Sequence, residues 1–407
     1  MPASPDATPR LARLVILATI VIEAMGIGII LPVMPGLMRE VLGVGLSEAA
    51  LWGGLLVTGF AAMQFLWGPL IGNLSDSHGR RQVVLISLGV MVLDYVIMAL
   101  AQSFWLLLVG RLIAGATAAV MATALAYMAD ISTGSEKAKN FGLVQAGFGM
   151  GFVLGPALGG LVAEFGTRAP FWAAGALCLA NFALALFVLP ESLPAGRRRP
   201  FELRRANPLT ALAAAARLPG LRGLMAVYLL YLIGMHAYGV VWPYFGEARF
   251  GWDTRLVGLS LSIYGIALVL VQALCFGPVY RRFGARATVL GGLGLNVVFM
   301  TWLTFIRSGP LTLVLTPLTA FGELPQPALA AMASDSAPED AQGEIQGVLA
   351  SLQAVAMVIT PLVMTGIFSL FTREDAPVVL PGAPFGAAAV LMALGIVIFA
   401  FAVPKRH

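Results

Sequence analysis

The chain has 407 residues, of which 59% are hydrophobic and 11% are charged, and its formal net charge is +5. Soluble domains carry about 25% charged residues, so this composition excludes an ordinary soluble protein. Apolar runs of about 20 residues, the length that crosses a bilayer as a helix, recur along the whole sequence. The chain is therefore predicted to be an integral membrane protein.

The apolar runs of helical length number twelve. Backbone that faces lipid must satisfy its own hydrogen bonds, so each run is predicted to be a transmembrane helix and the fold to be an all-α membrane protein. In chain order, spans 1 to 12 cover residues 11–35, 48–72, 83–101, 104–127, 138–164, 168–189, 221–246, 254–279, 286–306, 309–333, 341–370 and 382–404. The longest polar interruption, "PESLPAGRRRPFELRRANP", predicts a linker over residues 190–220 between two six-helix halves, residues 1–189 and 221–407.

Lysine and arginine are distributed unevenly between alternate loops. Most of the 25 basic residues lie in loops that share a side with both termini, and the positive-inside rule assigns that side to the cytoplasm. This pattern accounts for the positive charge without nucleic acid as a partner. The two cysteines, Cys178 and Cys275, lie inside apolar runs and are expected to be packing residues, with no disulfide or thiolate metal site.

The two halves carry a related polar turn after their second span. Both "GNLSDSHGRR" (72–81) and "GPVYRRFGAR" (277–286) place two glycines seven positions apart and an arginine two positions after the second glycine. The second copy lies 205 positions after the first, about half the chain. This echo favours parallel repeats, in which two six-helix halves are related by an axis along the membrane normal.

Span 5 contains a stripe of glycines. Gly147, Gly151, Gly155 and Gly159 recur at every fourth position and form one smooth helix face, while Pro156 is expected to bend the helix. Small residues let membrane helices approach closely. The stripe is therefore expected either to form a tight static crossing or to belong to an interface that moves during function.

Five ionisable residues lie inside predicted spans. They are Glu23 on span 1, Asp94 on span 3, Arg111 on span 4, His236 on span 7 and Glu323 on span 10. A charge at the bilayer centre costs about 2.5–3.5 kcal/mol on insertion scales, so such residues are candidates for proton coupling. Asp94 and Arg111 either form a structural ion pair or belong to the coupling machinery, and His236 is either a proton site or a hydrogen-bonded bundle residue.

Uncharged polar residues inside the spans are candidates for substrate binding. Gln64, Gln145, Gln272 and Asn296 either join helices or hydrogen-bond a substrate, and Trp242 completes the predicted substrate-binding set. The sequence has no phosphate-binding Gly-Lys-Ser/Thr loop, so ATP-driven transport is not indicated. It has no metal-ligand or nucleophile–base cluster either, and neither an enzyme nor a cofactor is predicted.

Three motifs resemble those of the major facilitator superfamily. "GNLSDSHGRRQVVL" is similar to its loop signature after span 2, "LLLVGRLIAGATAA" to its span 4 motif with Arg111 as the arginine, and "GFGMGFVLGPALGG" to the antiporter motif of span 5. The loop signature is matched at Gly72, Leu74, Asp76, Gly79, Arg80 and Arg81. The resemblance covers nearly the whole chain and implies the major facilitator fold and an exporter.

Longer passages resemble the twelve-span drug/proton antiporters of the tetracycline-efflux type. These are "AMGIGIILPVMP", "MQFLWGPLIGNLSD" with Gln64, the Asp94–Tyr95 pair, "FGEARFGWD" and "QGEIQGVLASLQ". The sequence departs from that branch at three places. Glu23 stands in place of an aspartate, Ser77 in place of a basic residue, and Leu295 and Asn296 where span 9 of the branch carries an aspartate.

The predicted function is a proton-coupled antiporter of the bacterial inner membrane, which exports amphipathic small molecules such as tetracyclines by alternating access. The protein is expected to be a monomer in the lipid bilayer, with a proton as its coupling ion, and to bind substrate between its halves. A dedicated exporter of a metabolite, siderophore or lipid is the first alternative. A non-transporting receptor on the same scaffold is the second.

The polar turn after span 2 is predicted to be a conformational latch, made in one state of the transport cycle and broken in another. Gly72 and Gly79 are expected to allow close helix approach and a tight turn. Asp76 is expected either to cap a neighbouring helix or to pair with Arg80. The arginines Arg80 and Arg81 also satisfy the positive-inside rule.

Overall fold

A computed structural model of the chain describes residues 7–118, 120–134, 136–202, 221–336 and 342–403. These residues are helical nearly throughout, and among them there is no strand. The predicted all-α fold class is confirmed. Most of the predicted linker, residues 203–220, lies outside the described residues.

The helices of the first half follow the predicted spans closely. Spans 1 to 3 are Ala7–Leu42, Leu46–His78 and Arg80–Leu100, span 4 consists of Phe104–Thr117 and Val120–Asp130, and spans 5 and 6 are Glu136–Val162 and Ala169–Val188. Spans 1 and 2 extend beyond their predicted ends because polar first and last turns continue the apolar segment. Apolar length alone therefore underestimates these helices.

The helices of the second half include two interrupted segments. Span 7 is Arg222–Phe250, and spans 8 and 9 run as Thr254–Leu270, a π-helical turn Val271–Cys275 and Phe276–Phe305. Span 10 consists of Gly309–Thr319, a 3-10 turn Ala320–Glu323 and Pro325–Asp335, and spans 11 and 12 are Gln342–Leu370 and Ala383–Ala402.

Ten helices of the described chain are long and apolar enough to cross a membrane. One of them, Thr254–Phe305, has 52 residues and would be about 78 Å long if straight, more than twice the thickness of a bilayer core. Its backbone is non-helical at Gly284, with φ 78° and ψ 167°, which divides it into spans 8 and 9. With these separated and the interrupted span 10 added, the helices account for the twelve predicted spans.

The second glycine of each repeated polar turn has the same special backbone. Gly79 has φ 113°, and Gly284, at the equivalent position of the second half, has φ 78°. A positive φ is open to glycine and strained for other residues. The predicted internal repeat therefore extends to the backbone at both turns.

Helix ends are fixed by local sequence signals. The side chains of Ser103, Asp253 and Ser308 accept hydrogen bonds from backbone N–H groups three residues later, where spans 4, 8 and 10 begin. Gly251, with φ 67°, ends span 7 in the left-handed conformation that glycine tolerates. These caps satisfy backbone groups that a helix end leaves without partners.

The described chain divides into two compact units. One contains Met1–Leu42 and Gly59–Asn207, and the other contains Gly43–Thr58 and Pro208–His407. The beginning of span 2 thus packs with the second unit, where Ser47 Oγ donates to Thr372 Oγ1 at 2.7 Å and Thr58 Oγ1 donates to the Val358 carbonyl at 3.2 Å. The sequence places a boundary only at the central linker.

Candidate functional site

A buried carboxyl lies in the middle of span 1. Glu23 is only 8% exposed, and within the described residues its Oε2 atom is buried without a hydrogen-bond partner. Tyr95 of span 3 and Cys178 of span 6 lie within electrostatic range of it. A carboxyl oxygen in this position can gain or lose a proton without breaking a hydrogen bond. The part of Glu23 in proton coupling stays a prediction.

An ion pair joins spans 3 and 4. Asp94 is 2% exposed and Arg111 is 9% exposed. The Nε atom of Arg111 donates to Asp94 Oδ1 at 3.2 Å, and its Nη2 atom contacts Asp94 Oδ2. The guanidinium also lies over the ring of Phe60 at 5.2 Å. The structure thus forms the ion pair that the sequence allows, while its part in coupling stays a prediction.

The glycine stripe of span 5 packs against the same part of span 1 that carries Glu23. A methyl group at Gly151 would lie 2.8 Å from Ala24 Cβ, and one at Gly159 would lie 2.6 Å from the Ile29 carbonyl oxygen. Gly147 and Gly155 are buried on the same face, and a methyl group at Gly155 would overlap the carbonyl of Met25. The Pro156 ring is equally close to span 1, because its Cδ lies 2.6 Å from a methyl group built at Gly28. The stripe therefore brings two helix backbones into direct contact.

Arg80 is the centre of the polar turn between spans 2 and 3. It pairs with Asp76, one helical turn earlier, which is one of the two alternatives that the sequence left open. Its Nε atom also contacts Asp130 Oδ2 at 3.3 Å, at the end of span 4, and its Nη1 donates to Ser75 Oγ at 3.1 Å. Asp130 is a partner that the sequence reasoning missed, although an acidic residue after the last apolar turn of "YMAD" was a visible signal.

Glu191, just after span 6, caps the start of span 3. Its carboxylate accepts hydrogen bonds from the backbone N–H groups of Arg80 at 2.8 Å and Arg81 at 3.2 Å. The capping considered for Asp76 thus belongs to Glu191. Arg81 in turn binds the end of span 6: its Nε donates to the Leu189 carbonyl at 2.7 Å, and its Nη2 donates to the Leu186 carbonyl at 2.8 Å.

The two signature glycines of this turn differ in their surroundings. A methyl group at Gly79 would lie 2.8 Å from Glu191 Cδ, in addition to the strain of the positive φ. A methyl group at Gly72 would meet no atom of the described residues within 4 Å. Close approach in this structure is therefore found at Gly79 and not at Gly72. The switching of the latch stays a prediction.

Glu323 ends the 3-10 turn of span 10 and is held by two tyrosines. Tyr231 of span 7 donates to Glu323 Oε2 at 2.8 Å, and Tyr264 of span 8 donates to Oε1 at 3.0 Å. The carboxylate is half-buried. Hydroxyl donors on both oxygens orient the carboxylate and stabilise its charge. Neither tyrosine was singled out from the sequence, because long-range partners leave no local pattern.

Three predicted substrate-binding amides have interhelical partners. Gln64 donates to the Ala118 carbonyl at 2.9 Å, Gln272 to the Glu323 carbonyl at 3.4 Å, and Asn296 to the Gly322 carbonyl at 2.8 Å. The structure thus gives these amides the helix-joining role that the sequence left open. Their contact with a substrate stays a prediction.

The remaining predicted residues lie apart from these contacts. Trp242 is fully buried, donates from Nε1 to Ser260 Oγ at 2.8 Å, and stacks on Tyr238 at 4.4 Å, so it presents no exposed surface for a substrate here. His236 bonds through Nδ1 to the Leu232 carbonyl of its own helix at 2.7 Å, and Gln145 is exposed. Within the described residues, acidic, histidine and cysteine side chains form no group of three that fits a metal.

Comparisons with known proteins agree with this architecture. A profile of the Major Facilitator Superfamily matches residues 16–237 and 224–407. The chain is 39% identical to the tetracycline resistance protein, class C, of Escherichia coli, over 88% of this chain and 90% of that protein. It is 36% identical to the class G protein of Vibrio anguillarum, over 88% and 91%. A crystal structure of a D-xylose-proton symporter superposes with a TM-score of 0.78 at 15% identity, over 98% of both chains, and this likeness shows the fold alone.

Proposed function

Because the chain belongs to the major facilitator superfamily and to its drug/proton antiporters of the tetracycline-efflux type, we propose that it exports amphipathic drugs, tetracyclines among them, in exchange for protons. The observation that carries this proposal is the 39% identity to a tetracycline resistance protein over 90% of that protein's length. The buried carboxyl of Glu23 supports the proton half of the exchange.

Glu23 is the proposed proton carrier of the first half. Its Oε2 atom has no hydrogen-bond partner among the described residues, so protonation there breaks no existing contact. Protonation of Glu23 neutralises its carboxylate, and drug release accompanies this change. The membrane potential supplies about 2.3 kcal/mol per charge per 100 mV, so one proton per cycle sustains useful drug accumulation.

Asp94 and Arg111 are proposed to assist coupling by holding spans 3 and 4 together. Removal of one partner of such a buried ion pair strongly destabilises the folded protein, because the other charge is then left buried and unpaired. Glu323 is the proposed acidic group of the second half, since its carboxylate is half-buried and oriented by Tyr231 and Tyr264. His236 is the weakest candidate because its ring already bonds its own helix.

The polar turn after span 2 is proposed to act as the latch. Arg80 bridges Asp76 and Asp130, so its contacts join the end of span 2 to the end of span 4. The Arg80 side chain is half-buried and both carboxylates are open to solvent in part. Ion pairs that water reaches are worth on the order of 1 kcal/mol, which is weak enough for such contacts to break in every cycle. The latch is therefore expected to set the rate of exchange rather than the affinity for drug.

The setting of this activity is proposed to be the bacterial inner membrane, with both termini in the cytoplasm. The bacterial relatives and the uneven distribution of basic residues support this orientation. The transporter is proposed to act as a monomer, with the proton as its coupling ion and no further cofactor.

The test is drug-driven proton release from everted membrane vesicles that respiration has acidified inside. Tetracycline is expected to release protons from vesicles that contain the unmodified protein or Glu23→Asp, which retains the carboxyl. Glu23→Gln is expected to abolish the release. Glu40→Gln is the matched control, because Glu40 lies on the same helix in an exposed ion pair with Arg168. The mechanism is wrong if Glu23→Gln and Asp94→Asn both release protons normally.

A further inference from the structure

The fourth span of each half is broken instead of continuous. Span 4 leaves helical geometry after Thr117, and Ala118 has φ −76° and ψ 56°. Span 10 leaves the α-helix after Thr319, passes through the 3-10 turn and resumes as an α-helix at Pro325. Carbonyls at such breaks lose helix partners, and irregular backbone at membrane depth persists only where other groups satisfy it.

Side chains of spans 2 and 3 satisfy the break in span 4. Ser87 of span 3 donates from Oγ to the Thr117 carbonyl at 2.7 Å. Gln64 of span 2 donates from Nε2 to the Ala118 carbonyl at 2.9 Å. Two consecutive carbonyls are thus bound by two different helices of the first unit.

Side chains of spans 8 and 9 satisfy the break in span 10 in the same way. Asn296 of span 9 donates from Nδ2 to the Gly322 carbonyl at 2.8 Å, and Gln272 of span 8 donates from Nε2 to the Glu323 carbonyl at 3.4 Å. Tyr231 adds a second bond to the Gly322 carbonyl, at 3.2 Å. Again two consecutive carbonyls are bound, one from each of the two preceding spans.

The two breaks occupy equivalent positions of the internal repeat. Residues 322 and 323 lie 205 positions after residues 117 and 118, which is also the offset between the repeated polar turns. In both halves a glutamine of the second span binds the second carbonyl. A hydroxyl or amide of the third span binds the first. The donors themselves lie 208 positions apart (272 − 64) and 209 positions apart (296 − 87), so the two halves are equivalent in their contacts and slightly shifted in the register of the donor helices.

Glycines beside the breaks allow these donors to approach. A methyl group at Gly322 would lie 2.9 Å from Asn296 Cγ, and one at Gly115 would lie 3.0 Å from Phe60 Cα. The backbones of spans 2 and 4 are therefore in direct contact just before the break in span 4. At the break in span 10, the side chain of Asn296 reaches the backbone of that span. Both breaks are held at close range.

We propose that Gln64 and Gln272 are an equivalent pair of positioning residues, one in each half. Each binds a backbone carbonyl at the break in the fourth span and thereby keeps that span interrupted there. The inference rests on the proposed function, because transport is the activity through which they act. The two parts of a broken span can change their angle without losing α-helical hydrogen bonds, since the carbonyls at the break are bound by side chains. In the second half, Gln272 binds the backbone carbonyl of Glu323, the residue whose carboxylate Tyr231 and Tyr264 orient.

The test replaces each glutamine with methionine, which has a similar length and no donor. Each substitution leaves a carbonyl at a break without its amide partner, so turnover of tetracycline in proteoliposomes is expected to fall about tenfold, or about 1.4 kcal/mol. The dissociation constant of tetracycline is expected to change less than about twofold, because a positioning residue does not touch the drug. Gln102→Met, at an exposed loop position, is the control and is expected to change neither quantity.

Hydrogen–deuterium exchange gives a local readout that does not depend on transport. Gln64→Met is expected to accelerate exchange in the peptide that contains Ala118, and Gln272→Met in the peptide that contains Glu323, each without effect on the other. If a methionine variant does not fold, Ser87→Ala removes one bond of the first break with little change in volume and is expected to accelerate exchange in the same peptide as Gln64→Met.

Three results in the methionine variants would overturn the inference. Turnover of tetracycline could be unchanged, or hydrogen–deuterium exchange at the breaks could be unchanged. Alternatively, the dissociation constant of tetracycline could rise by the same factor by which kcat/KM falls. The last result would make the glutamines substrate ligands. Failure of the unmodified protein to transport tetracycline would refute the proposed function instead, and the exchange measurement would still decide whether the glutamines hold the breaks.

Discussion

The substitution Gly79→Ala is expected to destabilise the protein by about 2–4 kcal/mol. Gly79 has φ 113° and ψ 151°, a region that is essentially open to glycine alone and costs other residues about 1–3 kcal/mol. The new methyl group would also displace the Glu191 carboxylate, whose Cδ lies 2.8 Å from its position. That carboxylate caps the first two N–H groups of span 3, and loss of a cap costs about 1 kcal/mol.

The assay is the thermal unfolding midpoint of the purified protein in detergent, measured at one scan rate. Gly72→Ala is the matched control, because it changes the other signature glycine of the same turn, and its methyl group would meet no described atom within 4 Å. The midpoint is expected to fall by several degrees for Gly79→Ala and to stay the same or rise slightly for Gly72→Ala. Equal midpoints for the two variants would refute the reasoning.

A double variant separates the steric contact from the backbone strain. Glu191→Ala removes the carboxylate that the new methyl group would meet. Glu191→Ala is therefore expected to lower the thermal unfolding midpoint less when it is added to Gly79→Ala than when it is made in the unmodified protein. Strictly additive effects would show that the methyl group and the carboxylate do not interact.

Three further predictions concern the latch, the glycine stripe and the buried ion pair. Asp76→Asn is expected to slow drug transport while the dissociation constant of the drug stays nearly unchanged, and a large loss of affinity would contradict the latch. Gly155→Ala is expected to lower stability by about 1–3 kcal/mol through overpacking, whereas Gly142→Ala, in open space on the same helix, is expected to be neutral in thermal unfolding. Asp94→Asn is expected to cost about 3–5 kcal/mol by leaving Arg111 buried and unpaired, and Arg111→Gln in the same chain is expected to restore part of that loss; no restoration would contradict the pairing.

Local sequence patterns were sufficient to predict the spans. The ends of span 6, predicted at 168–189 and found at Ala169–Val188, agree closely because the apolar run is bounded by charged and proline-containing segments. The pairing of Asp94 with Arg111 was among the alternatives because two charges in adjacent spans must find partners in lipid. The echo between the two polar turns also extends to the backbone, where Gly79 and Gly284 both have positive φ.

The partners across helices were beyond sequence reasoning. Glu191 lies at the start of the predicted linker, and only the packing of span 6 against span 3 brings it to the first N–H groups of that helix. The breaks in spans 4 and 10 were not predicted either. In span 4, "LIAGATAAVMATALAYM" reads as one continuous apolar run. In span 10 the prolines Pro325 and Pro327 were a visible signal of an interruption, because proline removes a helix donor. A side-chain amide that binds a carbonyl, as Gln64 does, depends on tertiary geometry that a linear pattern does not encode.

The most direct test of drug/proton exchange uses the purified protein as the sole protein of proteoliposomes. With an acidic lumen and tetracycline outside, the unmodified protein is expected to accumulate drug inside, and an ionophore that collapses the pH gradient is expected to abolish the accumulation. Glu23→Gln is expected to show no gradient-driven uptake, whereas Glu23→Asp retains it. Uptake that is the same with and without the pH gradient would contradict proton-coupled export.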